Sequence, residues 1–140
     1  MEAPANVSLQ ELVEKYVRTW DARSERSLVD EVMAADVVDH QPVGPADGVE
    51  GVKRDIGIYH AAFPDLALTC EDYIIGDDRV AVRWSAIGTH EGEGLGMPPT
   101  HRQVHLHGID ILRIAHGRVV ERWGQFNGLD MMQQLTAPSS

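Results

Sequence analysis

Between residues 9 and 20 the apolar positions Leu9, Leu12, Val13, Tyr16, Val17 and Trp20 recur at spacings of three and four, which is the stripe of a helix with one buried face. Ser8 and Glu11 stand three apart at its head and form a capping box, two side chains that satisfy each other's free backbone N–H groups. A second, shorter helix is predicted around 26–34, where Leu28, Val29, Val32 and Met33 carry the apolar face. The following stretch "DVVDHQPVGPADG" (36–48) collects proline, glycine and aspartate and predicts irregular chain. Asp47 and Glu50 repeat the capping pattern, and Val49, Val52, Ile56, Tyr59 and Phe63 make a third helical stripe that ends at Pro64, where the ring would break the backbone ladder.

From Leu66 onward the period shortens. "LALTCEDYII" (66–75), a turn at "GDD", and "RVAVRWSAIGTH" (79–90) read as two strands of a meander. "GMPPTHRQVHLHGIDIL" (96–112) is predicted as a third long strand, "AHGR" as a tight turn, and "VVERWGQF" (119–126) as a fourth strand. "GLDMMQQL" adds a last helical turn. Three helices followed by a largely antiparallel meander define an α+β domain, with a curved sheet wrapped around the helical layer.

At 140 residues with 43% hydrophobic content, the chain is long enough to bury a core as a single domain covering 1–140. Twelve Lys and Arg against 22 Asp and Glu give a net charge of −10, and the basic residues are scattered, so neither nucleic acid nor an anionic membrane surface is an expected partner. The one cysteine, Cys70, reads as a small buried hydrophobe. No stretch approaches the ~20 apolar residues of a membrane span, and the expected location is the cytoplasm.

The long third strand raises the chemical question. Three histidines and Asp110 lie along it, and polar groups on the inward face of a strand are costly unless they line a cavity. His105 and His107 project from one face, and Asp110 from the other unless a bulge intervenes. The pairing register, which decides what Asp110 faces across the hairpin, depends on turn length.

The runs "AFPD" (62–65), "VAVRWSAIGTH" (80–90), "GMPPT" (96–100) and "HGRVVERWGQFNGLDMMQQL" (116–135), in this order, resemble the SnoaL-like polyketide cyclase family of the nuclear transport factor 2-like superfamily, over about residues 8–135. The resemblance implies a cone: three N-terminal helices packed in a strongly curved, mostly antiparallel sheet around an internal pocket. It also implies a hydrophobic polycyclic substrate handled by acid/base chemistry without a cofactor, in ring closure or in the hydroxylation steps of aromatic polyketide tailoring. In the family an aspartate on the last strand acts as acid/base, assisted by a histidine on the strand before it. Aligning the turn glycine with Gly117 puts that aspartate at Gly124 and the histidine at Asp110, so this chain carries its carboxylate across from the vacated position. The related limonene epoxide hydrolases keep an aspartate at the same last-strand place, with Arg/Asp partners that have no counterpart on 80–89.

Asp110, His107 and His40 are therefore the expected catalytic residues, with an ion pair to Arg122 or Arg113 as the structural alternative for Asp110. His40 falls where the superfamily places a polar pocket residue. Trp20, Phe63, His90, Met97, Arg122, Trp123, Gly124 and Gln125 are the expected substrate contacts, although the alternation around Arg83 and Arg122 favours outward salt bridges for both arginines. Tyr16 and Trp84 read as large apolar groups, mostly core. The glycine-rich "EGEGLGMPP" reads as a flap with a stiff hinge, or as a plain connection. His-x-His could begin a metal site, but the other histidines are scattered and no metal is expected. A non-catalytic binding cone and a small isomerase or hydrolase of the same fold are the alternative functions. A homodimer through the outer sheet face is the expected assembly, since an open sheet surface with apolar residues needs cover.

Overall fold

The computed structural model describes residues 5–40 and 48–137, with side chains from Leu9 onward. Helix α1 (Ala5–Thr19) buries Leu12, Val13, Tyr16 and Val17 along the predicted stripe. It begins upstream of Ser8, whose side chain is outside the described residues, as is the second predicted cap, Asp47. A short α2 (Ser27–Val32) leads into β1 (Met33–Asp39), and α3 (Gly48–Ala62) stops before Pro64. The strands β2 (Ala67–Ile75), β3 (Arg79–Thr89), β4 (Gln103–Ala115) and β5 (Arg118–Phe126) follow, and α4 (Gly128–Thr136) closes the chain.

Strand β1 corrects the expectation of irregular chain from residue 36. It pairs parallel to β5, with a register shift between Met33 and Val38, and only Met33 and Val37 along it are buried apolar residues. So sparse an alternation leaves little periodic signal, and the strand exists because β5 offers it an edge. The sheet order is β1-β5-β4-β3-β2, antiparallel except at that edge. The third strand likewise begins later than predicted, at Gln103, because the residues from 96 to 102 include the Pro98–Pro99 pair and a backbone kink at His101 with φ of 60°.

A two-residue turn at His116 and Gly117, both with positive φ, joins β4 to β5 in the twist that hairpins favour. Arg113 pairs with Glu121 and Ile114 with Val119. The unmatched Val120 is a bulge that moves the pairing by one residue and sets Asp110 opposite Gly124. Beyond the end of β5, the Gln134 amide of α4 takes over as partner: its Nε2 donates to the His105 carbonyl at 2.8 Å and its Oε1 accepts from the His105 N–H at 2.7 Å.

Even-numbered residues of β3 and β4 face the helices and odd-numbered ones face away. Two apolar clusters result. One gathers Val13, Tyr16, Val52, Ile56, Val82 and Leu112 beneath α1 and α3; the other gathers Phe63, Leu66, Ala86, Leu106, Met131 and Leu135 and is covered by α4. On the outer face Val38, Ile87, Ile109 and Ile111 are exposed, the surface that the expected dimer would use. No helix among the described residues is long and apolar enough to cross a membrane.

The glycine-rich segment is docked rather than free-standing. The N–H groups of Glu91 and Gly92 both donate to the Ala62 carbonyl at 3.2 Å, and a side chain at Gly92 would collide with the carbonyl of Ala61. Leu95 and Met97 then pack against the second cluster.

Asp21 ties the end of α1 to the sheet. Its carboxylate accepts from the Arg23 side chain at 2.8 and 2.9 Å, from the Arg23 N–H at 2.9 Å and from the Leu68 N–H at 3.1 Å. The Arg23 hydrogen bond, helped by those two backbone donors, lowers its pKa to about 2. A carboxyl group with a depressed folded-state pKa contributes stability that is complete above its unfolded pKa of about 4 and is lost as pH falls toward 2. Asp21→Asn is expected to cost about 1–2 kcal/mol at pH 7, allowing for the solvent exposure of Arg23. Denaturant melts at pH 7 and pH 2.5 check this: the gap between wild type and variant narrows at the lower pH.

Candidate active site

A cavity opens where the two apolar clusters meet. Val17, Leu66, Leu68, Ala86, Leu106 and Phe126 make its apolar walls, and its polar end is built from Tyr16, Trp20, Trp84, Asp110 and Arg122. The cavity has a volume of about 70 Å³, about half that of a cavity that accepts one benzene ring.

Asp110 is buried, and each contact to it comes from a different element. The Tyr16 hydroxyl on α1 donates to its Oδ2 at 2.5 Å, the Trp84 indole N–H on β3 donates to Oδ1 at 3.2 Å, and Arg122 Nη2 on β5 lies 3.5 Å from Oδ2. Arg122 in turn donates from Nε to Tyr16 Oη at 2.6 Å and from Nη1 to Asp39 Oδ1 at 2.8 Å. Its guanidinium carbon lies 5.1 Å from the centre of the Trp20 ring. Burial works against the guanidinium charge, but attraction to Tyr16, Asp110 and Asp39 outweighs it and raises the Arg122 pKa, so the residue is a permanent cation. Burial also pushes the Tyr16 phenol well above its ordinary pKa, with the Asp110 charge adding to the shift and Arg122 opposing it.

Two glycines make room for this arrangement. A Cβ at Gly124 would sit 2.6 Å from Arg122 Nη2 and 2.8 Å from Asp110 Oδ1, so the space that a side chain would take at this position is filled by the ion pair itself. At Gly108, the neighbour of Trp84 across the ladder, a Cβ would stand 2.3 Å from the indole ring. Its absence lets Trp84 lie flat over the strand with its N–H on Asp110.

Of the residues predicted from sequence, Asp110, Trp20, Arg122, Gly124 and Gln125 border the cavity, Gln125 as an exposed residue. His107 does not. It is exposed on the outer face with His105, because β4 alternates regularly and its parity is opposite to that of Asp110. His40 and Trp123 also stand outside, stacked on each other with ring centres 4.9 Å apart, and His40 Nε2 is 2.7 Å from Glu121 Oε2. The bulge at Val120 is what assigns Trp123 to the outside. Phe63 and His90 are fully buried in the second cluster, rings 5.6 Å apart, and the His90 Nδ1 accepts from the Thr100 N–H at 3.2 Å. Met97 packs with the loop beside them.

Arg122 overturns the expectation of an outward arginine: the same bulge turns it inward, while Arg83 stays exposed. Tyr16, Trp84 and Asp39 are the site residues that sequence reasoning missed. For Tyr16 and Trp84 a signal existed, since each places a hydroxyl or N–H inside an apolar stripe and a buried aromatic donor seeks an acceptor. Asp39 gave none. Among the described residues no group of three or more His, Cys, Asp or Glu converges as a metal site would.

Comparison with known proteins agrees with this architecture. The chain belongs to the SnoaL-like polyketide cyclase family, whose model matches residues 10–135. Among solved structures, TsrD from Streptomyces laurentii is 25% identical with a TM-score of 0.86, over 98% of this chain and 100% of that one. IdmH from Streptomyces antibioticus, a proposed polyketide cyclase, is 29% identical with a TM-score of 0.79, over 90% and 96% of the two chains. AclR from Streptomyces galilaeus, a proposed hydroxylase, is 27% identical with a TM-score of 0.79, over 96% and 84%. No curated protein matches the chain.

The Tyr16 bridge yields a stability prediction with a defined pH dependence. Tyr16→Phe deprives both Asp110 and Arg122 of a partner inside the protein and is expected to cost about 1–3 kcal/mol at pH 7. Because the folded-state pKa is raised, the stabilisation is complete below the unfolded value of about 10 and is lost as pH rises beyond it. Chemical denaturation at pH 7 and pH 10.5 measures both effects, and the difference between wild type and variant shrinks at the higher pH.

Proposed function

We propose that the protein is an acid/base enzyme acting on a hydrophobic cyclic carbonyl compound, with Asp110 as the proton-transfer group. The observation that carries this reading is a single carboxylate at the polar end of an otherwise apolar cavity, directly across the ladder from Gly124. Proximity to Arg122 and the hydrogen bonds from Tyr16 and Trp84 keep that carboxylate in one orientation, as a general base requires.

In an aldol-type ring closure the Asp110 carboxylate removes a proton from the carbon next to a carbonyl. The enolate carbon then bonds to a second carbonyl carbon, and the resulting alkoxide takes the proton back from Asp110. Atoms and charge balance with protein groups alone. Hydroxylation of a ring carbon, the activity in the name of AclR, would share the first proton removal but takes its oxygen from dioxygen as oxidant, with two electrons from a reduced cosubstrate releasing the second oxygen as water. A cavity of about 70 Å³ takes only the inner, carbonyl-bearing edge of a ring, with the rest of a larger polyketide outside the mouth. His107 and His40 have no part in this scheme, since neither reaches the cavity.

A second reading has its own observation. Asp110 is already contacted by Tyr16, Trp84 and Arg122, which suits a carboxylate that only holds the cone together around a bound ligand.

The two separate on one variant. Asp110→Asn keeps shape and removes the basic oxygen. With 1-tetralone as probe, deuterium uptake at the carbon next to the carbonyl in heavy water should fall by about 10²-fold or more while the fold persists by circular dichroism. Equal uptake by a folded Asn variant would leave the binding reading standing and remove the catalytic one.

A further inference from the structure

Around the cavity the polar groups are unequally served. Asp110, Arg122, Tyr16 and Trp84 all have hydrogen-bond partners, but the Trp20 indole Nε1 does not. It is buried and finds no acceptor among the described residues. A buried N–H without an acceptor costs about 1–3 kcal/mol, so such an atom in a native site calls for an explanation. Trp20 lies at the end of α1, its backbone carbonyl 2.8 Å from His60 Nε2, and its ring lines the cavity edge-on to Tyr59, centres 6.2 Å apart.

We infer that the Trp20 indole N–H is the hydrogen-bond donor for the substrate's carbonyl oxygen, the group that holds the reacting carbonyl while Asp110 handles its neighbouring proton. Three features of the cavity converge on this assignment. The atom is the unused donor of a residue that lines the cavity. Asp110, at the same end, offers acceptor oxygens but no donor in its charged form. The Arg122 guanidinium, which touches Asp110, also lies over the Trp20 ring, so an oxygen held by the indole would sit in the field of a buried cation. Negative charge developing on that oxygen during enolate formation is stabilised there, as electrostatic catalysis requires. The ligand class follows: a neutral, largely apolar ring system with a carbonyl acceptor at its inner end. The inference rests on the proposed reaction for the identity of that oxygen, but not for the existence of the donor.

The test uses the intact protein with 1-tetralone, which has the carbonyl, and tetralin, which has the same two rings without it. The three tryptophan indole N–H resonances are followed in ¹H–¹⁵N spectra, with Trp20 assigned by sequential correlation in the wild type. Saturation with 1-tetralone is expected to move the Trp20 N–H downfield and saturation with tetralin to leave it in place. Trp20→Phe, which keeps an aromatic face, should weaken 1-tetralone about fivefold, the scale of one hydrogen bond, and change tetralin by less than about twofold. A Trp20 N–H that stays put while 1-tetralone saturates the protein overturns the inference, as does an equal loss for both ligands or the absence of saturable 1-tetralone binding. If Trp20→Phe fails to fold, the wild-type resonance decides alone. Asp110→Asn separates this inference from the reaction it rests on: an unchanged Trp20 shift with unchanged deuterium uptake removes the catalytic base and leaves the donor.

Discussion

A guanidinium cannot be buried alone, since even after relaxation the loss of hydration costs several kcal/mol, and Arg122 is 7% exposed. Its answer is to draw partners from three directions: Asp39 from the sheet edge, Asp110 from the neighbouring strand and Tyr16 from the first helix. These contacts join elements that are distant in sequence, and they do so at the point where the helical layer meets the concave side of the sheet. The cone is held at its polar end by charge and elsewhere by apolar packing.

The same constraint shapes the cavity. Because the ion pair occupies the space beside residue 124, a side chain there would have to displace the Arg122 guanidinium and the Asp110 carboxylate. Because Trp84 lies over Gly108, its indole N–H reaches Asp110 instead of staying in the apolar wall. The walls beyond are aliphatic and aromatic, so a ligand meets a directed carboxylate at one end and a greasy surface along the rest. Pockets of this composition fix orientation with few polar groups and gain affinity from apolar burial. The outer face of the sheet is built differently. Glu121 there takes both His40 and Arg113, at 2.7 and 2.8 Å, and the histidines of the long strand point to solvent.

Much of the architecture was legible in the chain. The stripes of α1 and α3 and the alternation of β3 and β4 exceed any competing period, because one face of each of these elements packs into the core. The resemblance carried by the runs between residues 62 and 135 pointed to the family and the cone. Within the site, the opposite parity of His107 and Asp110 was readable, since a regular strand cannot present adjacent odd and even residues to one side. The first strand was not, because its pattern is thin and its partner lies some 85 residues away, from Met33 to Val119.

What the sequence determined by itself, then, is periodicity and inventory: which faces are apolar, that the domain is α+β, and that a carboxylate lies within an apolar strand. Tertiary structure decided which polar groups meet. A single bulged residue, Val120, reverses the parity of the last strand, turning Arg122 in and Trp123 out and setting Asp110 against Gly124. Local patterns carry no information about such a shift, since either parity satisfies the alternation. Burial of Arg122 then selects Tyr16 and Asp39 as partners by distance through space, a choice made only when helix, sheet edge and hairpin are packed together.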